Sequence, residues 1–266
     1  MIDSISPVVD AVESFANIEG HREAISDYGD LRADGLDHLA AARASGYRAI
    51  AESRLPEIRG KINRLPTFFR EIIQSTYVPD ILSAFNVGIS HHGATQFWIV
   101  DAYGRICNTQ EVFYSGLSRN TDRPLRYKFR TGDGYAVSAF FGSEQLQPGY
   151  YSWTQRAFDP FAMIVVVESP KSAMLASILY PSVIWLAACG ASGITPTKAH
   201  SLRGREVRIL FDNDQAGTDG ARKGLNVLRE AGAFAQIVDP TVFFGGSRPN
   251  GWDIGDEALM VIGGQA

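Results

Sequence analysis

The chain has 266 residues, 45% hydrophobic and 20% charged, the balance of an ordinary globular protein. Its net charge of −4 and pI near 5.8 are not those of a dedicated nucleic-acid clamp, so any polynucleotide contact must be local, metal-bridged or assisted by another protein. Two cysteines, Cys107 and Cys189, exclude a cysteine-built zinc site and a disulfide framework, and with no membrane-length apolar run and no signal-peptide layout in Met1 to Glu13, a cytoplasmic protein is expected.

In chain order, residues 1–60 read as a polar helical segment. Leu36 to Leu55 repeats apolar residues at helical spacing between Gly35 and Pro56. Residues 61–155 read as an α+β block. Thr67 to Ser75 and Val78 to Phe85 are expected as short helices. Gln96 to Asp101 and Arg105 to Tyr114 are expected as strands around a Tyr103-Gly104 turn, with further strands at Leu125 to Arg130 and Tyr135 to Phe141. Phe97, Trp98, Phe140 and Phe141 read as core, and His91-His92 has no third ligand in view.

Residues 156–266 change character. Strands at Met163 to Val167, Val183 to Ala187, Val207 to Phe211 and Ala235 to Val238 alternate with helices at Pro170 to Leu179, Thr197 to Leu202 and Thr218 to Ala231. The strands are apolar throughout, as when both faces are covered. The alternation predicts an α/β unit, a parallel sheet flanked by helices. Ser169, Thr218 and Gly232 are the expected helix boundaries. Phe243 to Trp252 is rich in Gly and Pro and is expected to be a mobile loop.

Two of these strands end abruptly in carboxylates: Val165-Val166-Val167-Glu168 and Leu210-Phe211-Asp212-Asn213-Asp214. Open α/β sheets place their ligands at the carboxyl ends of the strands. In extended chain, residues two apart point the same way, so Asp212 and Asp214 can act together. Three carboxylates on one edge repel one another unless cations fill the space. A hard, all-oxygen site of this kind suits Mg²⁺ or Mn²⁺ and phosphate chemistry.

These residues resemble a known family. A strand-ending Glu168 followed by a helix, then Phe211-Asp212-Asn213-Asp214-Gln215-Ala216-Gly217, looks like the TOPRIM domain of topoisomerases and bacterial primases. Ala188-Cys189-Gly190-Ala191-Ser192-Gly193 resembles its small-residue loop, and Asp253-Ile254-Gly255-Asp256 its closing acidic segment. Upstream, Val78 to Gly88, Phe97 to Ile106 and Leu125-Arg126-Tyr127-Lys128-Phe129 resemble parts of the primase core. The likeness covers roughly residues 75–260. It is nearest to compact primase-like proteins of mobile elements, without the zinc-binding and helicase-binding domains. The turn after Glu168 departs from the family's glycine turn, reading Ser169-Pro170-Lys171.

The resemblance implies a TOPRIM domain at 156–266 behind a primase-like subdomain at 61–155. It implies that Asp212 and Asp214 hold Mg²⁺ or Mn²⁺, with Glu168 a further ligand or a general base and Asp253 or Asp256 completing the shell. Lys171, Lys198, Arg126, Lys128 and Arg248 are the candidate contacts to phosphate. The implied activity is Mg²⁺-dependent synthesis of a short primer on single-stranded DNA from nucleoside triphosphates, with a helicase or another DNA-binding protein as partner. A TOPRIM nuclease and a non-catalytic subunit of a replication or mobile-element complex are the alternatives.

Overall fold

Residues 81–82, 84–90, 93–102, 106–115, 118–123, 125–127, 139–147, 159–246 and 248–263 are described by the computed structural model. The expected helices at 36–55 and 67–75, the histidine pair, the Tyr103-Gly104 turn and the expected boundaries at 60/61 and 155/156 lie outside the described residues.

The strands from residue 164 onward are short and join in parallel; the first two are apolar throughout as expected, whereas Glu206, Arg208 and Gln236 interrupt the other two. They are β7 (Ile164–Val167), β8 (Ile184–Ala187), β9 (Glu206–Ile209) and β10 (Phe234–Ile237), in the order β10-β9-β7-β8. β7 pairs in register with both β8 and β9, Val166 standing opposite Leu186 and Ile209. Side chains alternate across a strand, so β7 and β8 each feed two cores, while β9 and β10 add to one. Ile164, Val166, Ile184, Leu186, Val207 and Ile209 enter one, and Val165, Val167, Trp185 and Ala187 enter the other. Each fully buried aliphatic or aromatic side chain contributes about 1.5–3 kcal/mol.

The first three of the helices that follow are the ones the alternation predicts, and the last two were not expected. They are α1 (Pro170–Leu179), α2 (Pro196–Ala199), α3 (Gln215–Glu230), α4 (Pro240–Phe243) and α5 (Ile254–Gly263). α1 starts as its sequence dictates: Pro170 needs no N–H partner at the first position, and the Ser169 hydroxyl accepts the Ser172 N–H at 3.1 Å. α3 begins three residues before the expected Thr218. Asp214 is its cap and accepts the Gly217 N–H at 2.7 Å. A carboxylate next to three exposed N–H groups outcompetes a hydroxyl four residues later. Gly232, at φ +86°, follows its end as expected.

A second, antiparallel sheet packs against the first. Its strands β1 (Val87–Ile89), β2 (Thr95–Val100), β3 (Ile106–Val112) and β6 (Arg126–Tyr127) lie in that order. A small hairpin, β4 (Tyr114–Ser115) with β5 (Ser118–Arg119), projects between β3 and β6. The expected strand to Tyr114 thus breaks after Val112. Of the expected strand at 135–141, residues 135–138 lie outside the described residues. Phe141 makes only a bridge, its N–H to Ala187 O at 3.0 Å and its carbonyl to Ala187 N at 2.9 Å. Phe97, Trp98, Phe140 and Phe141 are core, none more than 1% exposed. Phe141 stacks on Phe85 at 5.7 Å and meets Phe97 edge-on at 5.6 Å. One core therefore runs from the antiparallel sheet into α1 and α5.

The margins of the parallel sheet are both occupied. Phe141 covers the β8 side. On the β10 side the Arg229 guanidinium donates to the Ala235 carbonyl at 3.2 Å. Among the described residues, no helix is long and apolar enough to cross a membrane.

Candidate functional site

Glu168 follows the last residue of β7, and Asp212 lies three past β9. β7 and β9 are neighbours, so the two acids share the carboxyl edge of the sheet. The Asp212 N–H donates to Glu168 Oε1 at 3.3 Å. Asp212 to Asp214 is not plain extended chain. Its backbone is cinched by the Asp214 N–H donating to Asp212 O at 2.8 Å, a three-residue turn. Gly217 is required here by closeness. A Cβ on it would stand 2.3 Å from Asp212 O and 3.0 Å from Glu168 Oε1.

The start of α5 delivers two more acids. Asp253 accepts from the Ser172 hydroxyl of α1 at 2.5 Å and from the Asp256 N–H at 2.8 Å. Asp256 in turn accepts the Asp253 N–H at 3.3 Å. Gly255 lets α5 approach α1, since a Cβ there would meet Ser172 Oγ at 2.8 Å. All five sequence-derived acids therefore belong to one neighbourhood.

The electrostatics follow from that crowding. Burial pushes Asp212 up to about 8, helped by the charges of Asp253, Glu168, Asp214 and Asp256. Burial likewise pushes Glu168 up to about 7, opposed by the Asp212 N–H and reinforced by Asp214 and Asp253. Asp256 is also raised by burial and by Asp253, against the nearby Lys171. Among the described residues, however, no three of His, Cys, Asp and Glu are grouped closely enough to form a metal cage. Several oxygens are spent on backbone N–H groups: Asp214 on Gly217, Asp253 on Asp256 and Glu168 on Asp212. Such an edge fits a hard divalent ion that keeps much of its water and takes one or two carboxylates, the habit of Mg²⁺. A cation there would offset both the burial and the mutual repulsion that raise Asp212 and Glu168.

The basic candidates divide. Lys171, in the first turn of α1, is close enough to offset Asp256. Lys198 is 2% exposed and is not a surface contact. Its ammonium donates to Ala188 O at 2.7 Å and lies 5.6 Å from the Phe140 ring centre, and burial lowers its pKa. Arg248 is also engaged: it bonds Glu257 Oε1 at 2.8 Å and lies over Trp252, 5.2 Å from the ring centre. The side chain of Arg126 and all of Lys128 lie outside the described residues.

The segment expected to be a mobile loop is hydrogen-bonded at both ends of its described part. Phe243 ends the short helix α4, and the backbone of Gly251 and Trp252 bonds to Asn213 in both directions. Sequence reasoning missed Glu257, Trp252 and Ser172. Glu257 stands in the visible run Asp256-Glu257, but α5 was not expected, so its inward turn had no signal.

The family described as Domain of unknown function (DUF6371) matches residues 63–213. The chain belongs to this family. In this DUF6371 chain the matched stretch contains Glu168 and Asp212 and stops one residue before Asp214. No curated protein matches it. Solved structures similar to it include primase catalytic cores. A DnaG primase catalytic domain bound to single-stranded DNA is 15% identical, with a TM-score of 0.47 over 80% of each chain. The E. coli primase catalytic core is 16% identical, with a TM-score of 0.42 over 79% of this chain and 80% of that one. The zinc-binding and RNA polymerase domains of Aquifex aeolicus primase are 14% identical, with a TM-score of 0.44 over 81% of this chain and 62% of that one.

Proposed function

We propose that this chain is a primase-like nucleotidyl transferase core. It would join nucleoside triphosphates into a short oligonucleotide on single-stranded DNA, using Mg²⁺ or Mn²⁺. The observation that carries this reading is the meeting of Glu168 and Asp212 at the carboxyl edge of adjacent parallel strands, with Asp214, Asp253 and Asp256 beside them. When bound there, a divalent cation supplies neutralisation of phosphate charge. Asp212 and Asp214 are the residues that would hold it, with Asp253 or Asp256 in support.

The chain's own groups have complementary work. Glu168, pushed up to about 7, is suited to take a proton from an attacking hydroxyl near neutral pH. Lys171, beside Asp256, is the cation best placed to meet a triphosphate. Arg126 and Lys128 are kept as contacts to the template, and a helicase or DNA-binding protein as the partner that brings it.

The test is oligonucleotide synthesis on single-stranded DNA with labelled triphosphates and Mg²⁺ or Mn²⁺. Wild type is expected to extend products, and Asp212→Asn with Asp214→Asn to lose more than about a hundredfold, beyond what changes outside the ligand shell cost. No synthesis by wild type with intact DNA would overturn the reading in favour of a binding subunit. DNA cut by wild type alone would move it to a nuclease.

A further inference from the structure

Glu257 takes no part in the acidic edge, yet it is 9% exposed and both its oxygens are committed. Oε1 accepts from Arg248 Nη2 at 2.8 Å, and Oε2 accepts from the Trp252 indole N–H at 3.0 Å. The guanidinium and the indole also face each other, 5.2 Å apart. One carboxylate therefore gathers the two ends of the segment Arg248-Pro249-Asn250-Gly251-Trp252. Inside that segment, the Trp252 N–H donates to Pro249 O at 3.1 Å.

The gathered segment grips the acid-bearing turn by its backbone. The Asn213 N–H donates to Trp252 O at 2.9 Å, and the Gly251 N–H donates to Asn213 O at 2.9 Å. Asn213 is the residue between Asp212 and Asp214. Gly251, at φ +78°, makes the bend, and a Cβ on it would come 3.9 Å from Asp214 Oδ2. Two hydrogen bonds on one residue fix both its position and its rotation, and with them the carboxylates on either side.

We infer that Glu257 is a positioning residue, which sets the spacing of Asp212 and Asp214 through Trp252, Arg248 and the backbone of Asn213. This rests on the proposed role of those two acids. Nothing in it requires Glu257 to touch metal or substrate. Groups that orient ligands from outside the ligand shell typically change metal affinity 10–100-fold when removed.

The test compares wild type, Glu257→Ala and Glu257→Gln in the full chain by two readouts. The first is Mn²⁺ affinity by titration, well below each protein's unfolding temperature. The second is hydrogen exchange at the Asn213 and Gly251 amides, with the Val207 to Ile209 amides of β9 as internal reference. Glu257→Ala is expected to weaken Mn²⁺ about tenfold and to speed exchange at Asn213 and Gly251 but not in β9. Glu257→Gln, which keeps an acceptor for the indole, is expected to restore most of both. If Glu257→Ala leaves the exchange of Asn213 unchanged, or only lowers thermal stability with Mn²⁺ affinity intact, the inference is overturned. If wild type binds no Mn²⁺, the proposed metal role fails; the exchange readout then still decides whether Glu257 holds the turn.

Discussion

At the scale of single residues, Gly217 shows how little freedom the acidic edge has. Its backbone conformation is ordinary for a helix; what excludes a side chain is the Asp212 carbonyl, 2.3 Å from where a Cβ would stand. Gly217→Ala must therefore shift the start of α3 or the Asp212 backbone, and with it the spacing of Asp212 and Glu168. A displacement of about 1 Å at a reacting centre can cost a hundredfold, so synthesis should fall by about that factor while the far-UV circular dichroism keeps its helical shape. A variant with wild-type turnover would show that the spacing of these two acids is immaterial. The same residue marks a limit of sequence reading. Its presence after Asp-x-Asp was visible, but close approach and tight turning select the same amino acid, and only coordinates separate them. Lys198 and Arg248 mark a second limit. Both were fair candidates for phosphate contact by type and neighbourhood, and both are consumed by internal partners, Ala188 O and Glu257.

At the scale of elements, the strand-helix alternation from 164 to 238 was legible because β7 and β8, buried on both faces, are unbroken apolar runs, and helix punctuation lies in the chain itself. The edge bearing Glu168 and Asp212 was legible for the same reason. Their strands announce their own ends. α5 was missed although Asp253 to Gly263 opens with acids and closes with glycine, the usual helix punctuation; its packing on α1 through Gly255 and Ser172 is a long-range contact that the chain does not announce. The junction of the two sheets was equally hidden, since it is made by long-range contacts, the Phe141 bridge and the shared core among them. Phe141 carries much of that junction, with Phe85 and Phe97 on its ring and Ala187 on its backbone. Phe141→Ala should cost about 3–5 kcal/mol in urea unfolding, as large aromatic truncations in a core do. A loss well under 1 kcal/mol would mean that the two sheets hold together without it.

At the scale of the whole molecule, the acids couple folding to pH and to cations. Asp212 and Glu168 have folded values near 8 and 7, above the roughly 4 expected in the unfolded chain. For groups raised in this way, the unfolded state releases its protons first. Their stabilising contribution is whole below about pH 4 and is lost as pH rises toward 7 and 8. Without divalent ions, the melting temperature should therefore fall between pH 5 and pH 8 through these two groups. Asp212→Asn should flatten that slope, and Mg²⁺ should restore more stability at pH 8 than at pH 5. A slope unchanged by Asp212→Asn would place its origin elsewhere, for instance in the buried Glu144, which burial raises to about 8. The turn that carries Asp212 and Asp214 also lies one hydrogen bond from a chromophore. Trp98 and Trp185 are sealed in the core at 1% exposure, whereas the Trp252 indole is half-buried against Glu257 with its carbonyl on Asn213. The molecule thus carries a native light source beside its acidic edge, whose emission colour and intensity register how that turn is held, without any dye.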